Sequence, residues 1–141
     1  MFPISTLQTQ RALCVLEQSH PGLLTTATDA LFDAFWVKAD STIGRPERIA
    51  EILSATVGRD IADDIMGRIA APEIKGRLAA NTDRAFAAGA FGIPWWECEN
   101  SRGEQESFWG FDHLGQVVRF LELDAQVEEE AKRSGGMRYM L

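Results

Sequence analysis

Cysteine and histidine are scarce in this 141-residue chain, which holds two of each. Cys14 and Cys98 form no CxxC and sit near no histidine cluster, which excludes a disulfide scaffold and a zinc knuckle and points to a reducing compartment. Long apolar runs are also missing. The longest is a handful of residues against the roughly 20 a bilayer-crossing helix needs. Positive charge is in deficit as well, with 14 Lys plus Arg against 21 Asp plus Glu, a net charge of −7. A duplex nucleic acid or an anionic membrane is therefore a poor main partner. The start, Met1-Phe2-Pro3-Ile4-Ser5, has neither the positive n-region nor the apolar h-region of a signal peptide. What remains is the composition of an ordinary globular chain, 45% apolar and 25% charged, long enough for one domain with a real core.

Apolar residues recur at three- and four-residue spacing from residue 7 to residue 90, and no stretch there alternates, so the region reads as helices. The first is expected from about Leu7 to Gln18, largely buried because Ala12 through Leu16 wrap most of its circumference. The second opens at Pro21 and carries Leu24, Ala27, Leu31 and Phe35 on one face until Asp40-Ser41-Thr42-Ile43-Gly44 breaks it. A third starts at Pro46 and Glu47 and stops at Gly58, read as a left-handed cap. A fourth carries Ile61, Ile65 and Ile69, and a fifth begins at Pro72-Glu73 with Ile74 and Leu78 on one stripe.

After Gly89 the pattern changes. Trp95 through Glu99 and Glu104 through Trp109 read as two strands joined by the turn-forming Asn100-Ser101-Arg102-Gly103. Asp112 can cap a following helix that carries Leu114, Val117, Val118 and Leu121.

Pro94 belongs at a strand's first position, where no ladder donor is lost. By residue chemistry it starts an edge strand in trans or sits in a cis peptide that turns the Ile93 backbone outward, and X-Pro bonds in folded proteins are cis only about 5% of the time. Gly110-Phe111-Asp112-His113, at a strand-to-helix junction, either offers free N–H groups to a ligand carboxylate or is filled by Asp112 as a simple cap. Trp95, Trp96, Phe108 and Trp109 either line an apolar pocket or pack. His113 reads as a first-turn surface residue.

Gly89-Ala90-Phe91-Gly92-Ile93-Pro94, Phe108-Trp109-Gly110-Phe111-Asp112-His113-Leu114 and the opening Phe2-Pro3-Ile4-Ser5-Thr6-Leu7 together resemble kappa-class glutathione transferases and 2-hydroxychromene-2-carboxylate isomerases of the DsbA-like thioredoxin superfamily. The resemblance implies an α/β, thioredoxin-like fold. Residues 1–6 would be a connecting loop, 7–90 a helical insertion domain, 91–123 the C-terminal hairpin and helix, and 124–141 an acidic helix end and flexible tail. It implies that Pro94 is the cis-proline, that Ile93 offers its backbone to the cysteinyl part of glutathione, and that Phe111 and Asp112 hold the γ-glutamyl end. Ser5 stands where the family commonly has an Asn that approaches the ligand.

The family's N-terminal βαβ half, with its catalytic serine, has no counterpart in this chain, so no catalytic residue and no metal ligand is assigned. The expected function is conjugation of glutathione, as substrate, to electrophilic small molecules, with weak activity. A glutathione-dependent isomerase and a noncatalytic partner subunit are the alternatives. A two-stranded hairpin is marginal by itself, which leads to the expectation of a homodimer. The resemblance suggests the mitochondrial matrix or the peroxisome, with the cytoplasm otherwise.

Overall fold

In the computed structural model, residues 4–123 are described, so the tail expected beyond residue 123 lies outside the described residues. The chain divides into two units, one up to Arg84 and one from Ala85.

The first unit is helical. α1 (Leu7–Ser19) buries Thr9, Ala12, Cys14, Val15 and Leu16, the broad apolar circumference that its sequence predicts. α2 (Leu24–Phe32) follows a short 3-10 turn at Pro21–Leu23 and runs into a wide turn over Asp33–Val37. In that turn the Lys38 N–H reaches back five residues to the Asp33 carbonyl, 2.9 Å away. This is a correction to the single continuous helix of the sequence reading. A five-residue step rotates the following side chains, so Ala34 is fully buried while Phe35 only packs against the core from its margin.

α3 (Pro46–Val57) opens with Pro46 and Glu47 in its first turn and buries Ile49 and Leu53. Gly58 ends it at φ +93° and ψ +153°. That is extended backbone reserved for glycine, not the left-handed helical cap expected, and it lets α4 (Arg59–Arg68) start at once. α4 buries Ala62 and Ile65, and α5 (Pro72–Ala87) buries Ile74. These side chains form one apolar core with Leu16, Leu31 and Ile43. No described helix is long and apolar enough to cross a membrane.

The loop between the Asp33–Val37 turn and α3 is fixed by polar contacts. The buried Thr9 hydroxyl donates to the Ile43 carbonyl at 2.9 Å. The Asp40 carboxylate accepts from the Thr42 N–H (2.8 Å), the Thr42 hydroxyl (2.6 Å) and Arg48 Nε (2.6 Å). The Thr42 donors, with Arg48, lower the Asp40 pKa from 3.8 to about 2. A carboxyl with a depressed folded-state pKa stabilises the fold above its unfolded pKa and stops doing so as pH falls through the folded one. Unfolding midpoints in urea should therefore fall between pH 3.8 and about pH 2. Asp40→Asn should flatten that part of the profile, and an unchanged acid limb would show that Asp40 does not hold the loop.

The second unit is built on a hairpin. β1 (Trp95–Glu99) pairs antiparallel with β2 (Gln105–Trp109) in the register Trp95 with Trp109 through Glu99 with Gln105. Asn100, buried in the turn, accepts the N–H groups of Arg102 and Glu104 at 3.0 Å and donates through Nδ2 to Glu104 at 2.6 Å. Asn100, then Arg102, lower the pKa of Glu104. A 3-10 turn (Phe111–His113) leads into α6 (Leu114–Phe120). Val117 of α6 is buried, and the Phe120 ring lies 5.8 Å from that of Phe108.

Paired residues share a face, so Trp95 and Trp109 lie on one face and Trp96, Phe108 and Cys98 on the other. The four aromatics therefore do not form one pocket lining. The expected cap is corrected too: Asp112 makes no capping hydrogen bond, because Gly110 precedes the turn and Asp112 falls inside it.

Candidate functional site

The hairpin register continues one step past the strands. Pro94 and Gly110 are each next in line, and the Gly110 N–H donates to the Pro94 carbonyl at 2.9 Å. The Gly110 carbonyl in turn accepts from Trp96 Nε1 at 3.3 Å. With both its backbone groups held and φ at +90°, Gly110 aims the next residues away from the ladder and into the Phe111–His113 turn. The two flanks of the hairpin, Ile93-Pro94 and Phe111-Asp112, are thus both placed at its open end by the Gly110 to Pro94 bond. The Ile93–Pro94 peptide is cis, as the resemblance implies.

What these residues present is open. Ile93 is 91% exposed and Phe111 72% exposed. The Asp112 side chain is 81% exposed and accepts no hydrogen bond among the described residues. The His113 imidazole lies beside it, Nδ1 being 3.4 Å from Oδ2. A free carboxylate of this kind can accept from an ammonium or an amide of a ligand. Ser5, the remaining predicted residue, belongs to the helical unit, where it is exposed just ahead of α1.

An aromatic cluster backs the site. The Phe91 ring centroid lies 5.6 Å from that of Trp95 and 4.9 Å from that of Trp109, in edge and tilted arrangements suited to opposed ring quadrupoles. Gly92, between Phe91 and Ile93, lies so close to the Trp109 indole that a Cβ there would overlap Nε1. Sequence reasoning missed both the Phe91 contacts and the role of Gly92. The register of a hairpin centred on Arg102 was readable, pairing Trp95 with Trp109 and Pro94 with Gly110, but Phe91 and Gly92 lie outside that ladder and left no such signal.

The thiols are not poised for attack. Burial raises the Cys14 pKa, an effect that Arg77 opposes more weakly, and burial alone raises that of Cys98. Both cysteines are free and both favour the protonated form. Among the described residues no group of His, Cys, Asp and Glu could hold a metal ion.

No curated protein matches the chain. The family model of the DSBA-like thioredoxin domain matches residues 1–122. Since that match spans most of the sequence, helices, hairpin and turn together, the chain belongs to the DSBA-like thioredoxin domain family.

Proposed function

We propose that this protein is a glutathione transferase-like member of its family, holding glutathione at the open end of the hairpin for reaction with an electrophilic small molecule. The observation that carries the proposal is the Gly110 to Pro94 hydrogen bond, which sets the exposed Ile93 beside the turn bearing Phe111 and Asp112. In this reading the Ile93 main chain pairs with the cysteinyl part of the tripeptide. The Phe111 backbone and the Asp112 carboxylate take the γ-glutamyl carboxylate and ammonium respectively.

Conjugation then consists of transfer of the glutathione thiol proton to solvent and attack of its sulfur on an electrophilic carbon; a leaving group departs with its bonding electron pair, or, where a double bond is saturated, the neighbouring carbon takes a proton from water. With both cysteines protonated, this reading is favoured over disulfide exchange through a protein thiolate. A glutathione-dependent isomerase would use the same holding residues but would expel the glutathione sulfur after rearrangement of the adduct, breaking the C–S bond and returning the thiol its proton. A homodimer, covering the strand edges left unpaired among the described residues, belongs to the same proposal.

Calorimetric titration of the whole chain with glutathione tests the assignment. A charge-assisted hydrogen bond contributes about 1.5–3 kcal/mol, so Asp112→Asn is expected to weaken binding about 10- to 100-fold. Absence of binding by the wild-type chain at millimolar glutathione, or equal affinity in the Asn variant, would overturn the proposal.

A further inference from the structure

The helical unit carries a groove of about 590 Å³ between α1 and α5, and nothing in the glutathione reading uses it. Its size lies within the range of small-molecule sites, about 300–1,000 Å³. Leu7 and Leu78 supply an apolar wall, and Leu7 is 46% exposed, so apolar surface is available to a ligand. Gln10 and Thr82 add polar groups, the Thr82 hydroxyl proton being already donated to the Leu78 carbonyl at 3.0 Å.

Charge decides what the groove takes. Arg11 and Lys75 both line it, in a chain whose net charge is −7. Arg48, Arg68, Arg77 and Arg102 each meet a carboxylate, whereas neither Arg11 nor Lys75 has an acidic partner among the described residues. Arg11 Nε is buried and has no hydrogen-bond partner. That nitrogen is shut off from the groove, so a ligand carboxylate would meet the outer guanidinium nitrogens of Arg11, which no hydrogen bond or ion pair holds among the described residues. Asp83 is the one acid on the wall, so the lining charges sum to a single positive charge. That matches a monoanion better than a phosphate dianion, and the planar guanidinium fork fits a carboxylate.

We propose that the α1–α5 groove binds a small monocarboxylate with an apolar chain, the carboxylate on Arg11 and Lys75 and the chain along Leu7 and Leu78. The site lies wholly within the helical unit and does not depend on the glutathione reading.

Decanoate and decanol, matched in chain and differing in charge, are the probes. Titration of the full chain should show decanoate binding at least about tenfold tighter than decanol, the gap expected of one charge-assisted contact. Arg11→Gln should remove most of that preference and Lys75→Gln part of it, while Asp112→Asn should leave it unchanged. On the folded wild-type chain, the Arg11 Nε–H proton resonance should move as decanoate saturates, a readout that does not require a variant to fold. Equal binding of acid and alcohol, an unaltered preference in Arg11→Gln, or an Arg11 resonance that stays in place would each overturn the proposal.

Discussion

Leu16→Ala is expected to cost about 2–5 kcal/mol of stability, the range measured when a buried leucine is cut back to alanine. Leu16 is 0% exposed and belongs to the core cluster with Ile49, Leu53, Ile65 and Ile74. α1 packs on α2, α3 and α4, so a cavity at Leu16 lies where several helices would have to move to close it. For a chain of this size the loss corresponds to roughly 5–20 °C in Tm. Leu7→Ala serves as the control, since Leu7 on the same helix is already half in water and its truncation should change Tm little. Scanning calorimetry on both variants decides the matter. A Leu16→Ala loss below about 1 kcal/mol would mean that the helical core collapses onto the gap and is not packed as described.

Gly92→Ala is expected to disable the candidate site while leaving the helical core intact. The added methyl would overlap the Trp109 indole at Nε1 and crowd its neighbouring ring atoms. Relief requires the indole to leave its contact with Phe91, and overpacking of this kind costs about 1–3 kcal/mol. Because Gly92 immediately precedes Ile93-Pro94, the shift passes directly into the backbone proposed to hold glutathione. We expect a changed near-ultraviolet circular dichroism signal from the tryptophans and a loss of glutathione affinity of about tenfold or more, the equivalent of 1.4 kcal/mol or more. A double variant, Gly92→Ala with Trp109→Leu, removes the obstructing ring and should recover part of the affinity. Non-additivity of this sign is the signature of a direct steric contact. An unchanged tryptophan signal in Gly92→Ala would show that the close approach to Trp109 does not constrain the site.

Much of the architecture was legible because its signals are local. Pro46 with Glu47 and Pro72 with Glu73 mark helix starts through fixed proline φ and the attraction of a carboxylate to a helix N-terminus. Asn100 marks the hairpin turn because its side chain can reach backbone N–H groups two and four residues ahead. The superfamily, too, was readable from motifs around Pro94 and Gly110. The wide turn at Asp33–Val37 left no such signal, since its residues would equally continue a regular helix. The Asp112 cap failed for a related reason: the residue type permits capping, but the positive φ of Gly110 places Asp112 inside the turn.

By itself the sequence determined which segments are helical, where the chain reverses into a hairpin and that two cysteines without a CxxC supply no disulfide motif. These follow from the steric and hydrogen-bonding preferences of neighbouring residues. Only tertiary structure decided that Phe91 lies against both Trp95 and Trp109, that Gly92 must lack a side chain, and that Arg11 and Lys75 share one groove. Each of these depends on the distance between residues that the chain brings together only on folding, and packing at that range is set by the whole core, not by any local pattern.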